Sequence, residues 1–193
     1  MNATIIARTP TSFTLQVEVP YNDSMLNFEE TLQDRLNDAG VVATAEGLRQ
    51  FDTDGSPITV GPVKLTTKGP VEKDYQTPYG VATVARHVYQ GPQGGPTYCP
   101  LDRDARIVVS STPRFAKMVS HKYAESSSTR VREDLQQNHG RSISRGLARA
   151  LSFVRAHPPA QPLPRVAQLG LDERLRVEDE NIRRCLTYAR DHP

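Results

Sequence analysis

The chain has 193 residues, with 24 Lys/Arg against 22 Asp/Glu, 15 prolines, 12 glycines, two cysteines and no tryptophan. That length allows one medium domain or two small ones around a modest core. No apolar run approaches the roughly 18 residues of a membrane span, no charged-then-apolar leader opens the chain, and the distant Cys99 and Cys185 make no disulfide framework, so a reducing cytoplasm is the expected setting.

Phe13, Leu15, Val17 and Val19 alternate with polar residues, the period-2 pattern of a half-buried strand that Pro20 ends. Ser24 or Asn27 caps the helix expected through FEETLQDRLNDAG, with Phe28, Leu32 and Leu36 on one face and Gly40 as its stop. A second short helix is expected over Ala43 to Gln50. From Phe51 to Thr97 the pattern turns to strands. ITVGPVKLTTKG reads as a ribbon interrupted at Pro62, hence an edge. VATVARHVYQ alternates, and TYCPL returns after a loose GPQGGP loop of about six residues.

Thr112 before Pro113 marks a helix start, and PRFAKMVSHKYAE places Phe115, Val119 and Tyr123 on one face. Ser126 to Ser128 break that helix and cap the next, which turns Val131 and Leu135 inward. Gly140 makes a turn. Ser142 is expected to cap a third helix whose Ile143, Leu147, Leu151 and Val154 form one apolar stripe. A proline-rich linker follows, then a charged helix with Leu175, Ile182, Leu186 and Ala189 inward.

The predicted architecture is therefore α+β: an N-terminal strand/helix and β-hairpin region, a three-helix helix-turn-helix unit, and a C-terminal helix. Four parts are expected, an acidic region 1–102, a basic unit 103–157, a linker 158–171 and a helix 172–193. The charge follows these parts. Residues 1–102 hold 7 Lys/Arg against 12 Asp/Glu, residues 103–157 hold 11 against 4, and residues 158–193 hold 6 of each. After Asp134 the next carboxylate is Asp172. So one-signed a segment is either a polyanion-binding face or a surface that folds back on the acidic region.

The coincidence of charge and helix pattern favours DNA. In a helix-turn-helix the second helix enters the major groove, its N-terminal half toward base edges. Ser144, Arg145, Ala148, Arg149 and Ser152 lie off the apolar stripe, and arginine can bind guanine O6 and N7 in bidentate fashion. Arg141, Arg130, Arg132, Lys122 and Lys117 are the expected phosphate contacts. The bland alternative is a helical hairpin with a solvated basic face.

Other constellations fail on spacing. Asp52, Asp54 and Gly55 resemble the opening of a calcium loop, but Pro57 and Val63 stand where glycine and glutamate are needed, so a polar turn is the better reading. His87 and Cys99 could face each other, but no further zinc ligands have suitable spacing. His139, at the turn, suits a phosphate or backbone partner. No catalytic constellation, metal site or cofactor site is found.

The strings FEETLQDRLNDAG, FDTDGSPITVG, LTTKG, YQTPYG, RHVYQ, GGPTYCPLDRDARIVVSSTPRFAKMVSHKYAE and NHGRSISR together resemble the N-terminal region of ISKra-type (family four) insertion-sequence transposases. The resemblance covers about residues 13–155. It implies a region preceding the catalytic domain, with a helix-turn-helix that binds the terminal inverted repeats of the element. NHGRSISR carries that role onto Arg141, Ser142, Ser144 and Arg145. Such transposases are implied to continue into an RNase H-like domain with a carboxylate triad and a divalent metal such as Mg. Here residues 135–171 hold no carboxylate, and beyond about Ala156 the resemblance ends. The expectation is a truncated chain that binds double-stranded DNA without cutting it. The other reading is a regulatory or protein-interaction fragment, forming a homodimer or associating with an intact transposase through the last helix. A complete nuclease is the third.

Overall fold

A computed structural model describes residues 2–144, 146–148 and 150–151. The proline-rich linker, the C-terminal helix and Val154 of the third-helix stripe lie outside the described residues. The order is β1 (Ala3–Arg8), β2 (Phe13–Val17), α1 (Met25–Arg49), β3 (Ile58–Val60), β4 (Val63–Gln76), β5 (Val81–Gly91), β6 (Gly94–Tyr98), α2 (Pro100–Asp104), α3 (Pro113–Glu125) and α4 (Ser128–His139). This is an α+β fold, with strands and hairpins first and several helices after them.

The strand around Leu15 forms as its alternation predicts, with Phe13, Leu15 and Val17 half-buried. Its partner β1 was not foreseen. The contiguous Ile5-Ile6 hides its period, because the β1–β2 register shifts between Ile5 and Ala7 and Ile6 is left 58% exposed.

Gly40 does not stop α1, and there is no separate helix from Ala43. One helix of 25 residues runs from the Ser24 cap, whose side chain accepts from the Asn27 N–H at 3.2 Å, to Arg49. Gly40 is there for packing. A Cβ at that position would lie 2.2 Å from Cγ of Tyr79, so the missing side chain lets the β4–β5 turn lie against the helix. A glycine inside a helix costs about 1 kcal/mol, and here that loss is offset by close approach. Leu36 is 52% exposed, while Phe28 and Leu32 are half-buried, so the expected apolar face is only partly covered.

The strands β3-β4-β5-β6 form one antiparallel sheet in that order. Gly61-Pro62 turns β3 into β4, which places Pro62 outside the ladder. The GPQGGP stretch is tighter than expected. Gly91 pairs with Gly94, leaving only Pro92 and Gln93 between strands, and Gly94 and Gly95 have φ of 79° and 91°.

The alternation along β5 holds for Ala82, Val84 and Val88, and the first two pack with Ala45 and Leu48 of α1, Tyr75 and Leu101. Tyr89 is buried as well, in a second cluster with Leu65 and Tyr98. Its hydroxyl lies 2.7 Å from Thr53 Oγ1 and donates to the Ser56 carbonyl at 3.1 Å. Asp102 ties α2 to the sheet, accepting from the Tyr75 hydroxyl at 2.6 Å and from Lys73 Nζ at 2.9 Å.

The α3 and α4 boundaries follow their punctuation. Thr112 precedes Pro113 at the start of α3, Ser127 caps α4, and Gly140 takes φ 61°, ψ 25° to end it. Residues 146–148 and 150–151 are helical. Phe115, Ala116 and Val119 of α3, Val131 and Leu135 of α4, and Ile143, Ala148 and Leu151 make one buried cluster, with Tyr123 packed against it. The Ser120 hydroxyl lies 2.6 Å from the Ala116 carbonyl and 3.0 Å from that of Leu151, which fixes α3 to the third helical segment.

Candidate nucleic-acid interface

The turn between α4 and the third helical segment carries Arg141, Ser142 and Ser144 of the residues singled out in the sequence. Its geometry assigns several of them to structure. Arg141 is the principal correction. It is 6% exposed, its Nε donates to the Thr77 carbonyl at 3.1 Å, and Nη2 donates to Gln76 Oε1 at 2.9 Å. Its guanidinium sits over the Phe115 ring, 5.4 Å from the centroid. Burial pulls its pKa down from the ordinary arginine value. Arg141 therefore clasps the helices to the end of β4 and has no reach to a phosphate. Asn37 reinforces the junction by donating to the His139 carbonyl at 3.3 Å.

Arg132 is half-buried, with Nε donating to the Ile143 carbonyl at 3.0 Å, so it braces the turn from inside. Lys122 pairs with Asp134, which also accepts from Asn138 at 2.6 Å. These two contacts hold the Asp134 carboxyl below its ordinary range, and the Lys122 charge is locally matched.

The capping assignment also shifts. Ser142 is exposed and hydrogen-bonds Gln136 Oε1, whereas Ser144 Oγ accepts from the Leu147 N–H at 3.1 Å. The cap thus falls two residues later than its expected place. Ala148, expected on the outer face, is fully buried. Arg145 and Arg149 lie outside the described residues. Arg130 and Lys117 are exposed, and neither side chain has an ion pair or hydrogen bond among the described residues. Arg114 and His121 share the face of Lys117, and sequence reasoning passed over them. Their spacing of three and four, opposite Phe115 and Val119, was the signal that could have found them.

Among the described residues from Arg106 onward, no cation pairs with a carboxylate of the first 102 residues. Glu46 pairs with Arg8 and Arg49, Asp102 with Lys73 and Arg86, and Asp52 with His87, all within the acidic region. The contacts of Arg141 to the first region are to a carbonyl and an amide oxygen.

Asp54 forms the polar turn expected of it, accepting from the Ser56 N–H at 2.9 Å. Asp52 accepts from the His87 N–H at 3.1 Å and lies 3.0 Å from His87 Nδ1. Burial pushes the Cys99 thiol up. Among the described residues no group of three or more His, Cys, Asp or Glu could hold a metal, and no helix is long and apolar enough to cross a membrane.

Comparisons with protein-family models, curated proteins and solved structures give no match.

Proposed function

We propose that this chain binds double-stranded DNA through the basic helices after residue 112, as the end-recognising part of an ISKra-type insertion-sequence transposase. The carrying observation is the unmatched charge of these helices. Arg114, Lys117 and Arg130 are exposed cations with no described partner, beside a sequence that adds Arg145 and Arg149 without a carboxylate from residue 135 to 171. Helix α4, joined by the left-handed Gly140 to a third helical segment capped by Ser144, supports a helix-turn-helix reading.

In this reading α4 crosses the backbone and the third helix enters the major groove. Ser142 and Ser144 are exposed at its entrance. Arg145 and Arg149 read base edges, worth about 1–3 kcal/mol for each good bidentate pair. Arg130 and Lys117 meet phosphates, which position the protein without reading sequence. Arg141 holds the unit against the sheet. The activity proposed is recognition of terminal inverted repeats.

Selection from a random duplex pool tests this proposal. The full chain is expected to enrich a defined sequence, and Arg145→Gln to flatten the preference at one position by about 1–3 kcal/mol. Recovery of no enriched sequence would remove the end-recognition reading.

A further inference from the structure

The first half of α1 carries an apolar stripe that no described element buries. Met25, Phe28, Leu32 and Leu36 stand at i, i+3, i+7 and i+11, within a sector of roughly 80° of the helix. Met25 is 67% exposed and Leu36 52%, while Phe28 and Leu32 are half-buried. Tyr21 extends the stripe by stacking on Phe28, with ring centroids 6.5 Å apart, and is itself 96% exposed. None of these five packs in the buried clusters of the described residues. Large apolar side chains aligned in this way, with charges around them, mark a surface that is covered by a partner.

The charge around the stripe selects its occupant. Residues 23–38 hold Asp23, Glu29, Glu30, Asp34 and Asp38 against the single cation Arg35. The α1 of a second copy would bring the same acidic face, and like charges across an interface cost affinity. The occupant is therefore apolar on one side and basic beside it. Helices α3 and α4 already bury their apolar sides in one cluster. Residues 181–190, NIRRCLTYAR, meet the requirement. Ile182, Leu186 and Ala189 recur at i, i+4 and i+7, and Arg183, Arg184 and Arg190 stand there with no carboxylate. Their reach is sufficient. Asn37, beside the inner end of the stripe, donates to the His139 carbonyl at 3.3 Å, and His139 ends the helix that packs with Leu151. The 29 residues from 152 to 180 span about 30 Å as a flexible coil. From Asn37 out to Met25 the helix measures about 18 Å.

We propose that residues 181–190 dock on the Met25–Leu36 stripe of the same chain, apolar side down, with their arginines matched to the carboxylates of α1. The docking needs no DNA and stands or falls apart from the proposed function.

Cys185 lies inside the docking segment, three residues after Ile182, and serves as a native probe. Full chains carrying Met25→Cys or Leu36→Cys are treated with a short bismaleimide at low protein concentration, and the linked peptides are read by mass spectrometry. A segment on a free linker meets every exposed cysteine at a similar low effective concentration, so Lys68→Cys, exposed on β4, sets the baseline. At least one stripe position is expected to link to Cys185 within one chain about tenfold more than Lys68→Cys does. Adding R183E/R184E is expected to return that yield to the baseline. Yields at both stripe positions no higher than the baseline would overturn the proposal. So would links that join two chains, which would assign the stripe to a second copy, and a yield that R183E/R184E leaves unchanged. Both substituted side chains are exposed, and either position alone can decide if the other variant does not fold.

Discussion

The acidic first half and the basic helices treat their charges in different ways. In the first, Glu46 is 6% exposed and held by Arg8 at 2.5 Å and Arg49 at 3.1 Å, and Asp102 gathers Lys73, Arg86 and the Tyr75 hydroxyl. These charged groups are internal fasteners. In the helices, Arg141 and Arg132 serve backbone carbonyls, and Arg114, Lys117 and Arg130 have no partner among the described residues. An excess of charge in a sequence therefore does not state which cations are available. Availability is decided by which neighbouring oxygens need donors.

Arg141 offers the hardest test of that difference. Arg141→Met keeps the apolar stem and deprives the Thr77 carbonyl and Gln76 Oε1 of their donor. Each buried acceptor left unpaired costs about 1–3 kcal/mol, so denaturant unfolding should show a loss of about 2–4 kcal/mol. The salt dependence of DNA binding, measured where the variant is still folded, should keep the wild-type slope. A stable variant with a shallower slope would return Arg141 to the phosphate contacts.

Gly40→Ala probes the packing of the acidic region. The added Cβ would meet the Tyr79 ring at 2.2 Å, so the β4–β5 turn must move. Overpacking of this kind costs about 1–3 kcal/mol. Because Thr77 in that turn also receives Arg141, the loss should exceed that of an alanine at Gly47, where nothing lies within 4 Å. Equal losses at the two glycines would show that the turn is not a packed junction.

Smaller still is the pH effect of Glu46. Its hydrogen bond to Arg8, with that to Arg49, holds its carboxyl below the ordinary range. A depressed carboxylate contributes stability above its unfolded value and loses it as pH falls through the folded one. Thermal unfolding should therefore weaken through and below the ordinary carboxylate range, and Glu46→Gln should flatten part of that decline. An unchanged acid limb in the variant would mean that the ion pair is not coupled to folding.

Helices α3 and α4 were legible in the sequence because their punctuation is local: Pro113 at a first turn, serine caps, and glycine after α4. The β2 and β5 alternation was legible for the same reason. The break placed at Gly40 failed because the role of that glycine depends on Tyr79, 39 residues away. Strand β1 was hidden by a bulge at Ile6. Arg141 was misassigned because the carbonyl of Thr77 belongs to a turn 64 residues earlier, and no spacing rule connects them. Of the five cations expected to meet phosphates, Lys117 and Arg130 are exposed.

The most direct measurement is the affinity of the full chain for duplex DNA over a series of salt concentrations. Each phosphate neutralised contributes about −0.9 to the slope of log K against log salt. With Arg130 on α4 and Arg114 and Lys117 on α3 meeting phosphates, the account predicts a slope of about −2 to −3, shallower by about 1 in Arg130→Gln. A slope near zero, or one unmoved by Arg130→Gln, would contradict the claim that the unpaired cations of these helices meet DNA.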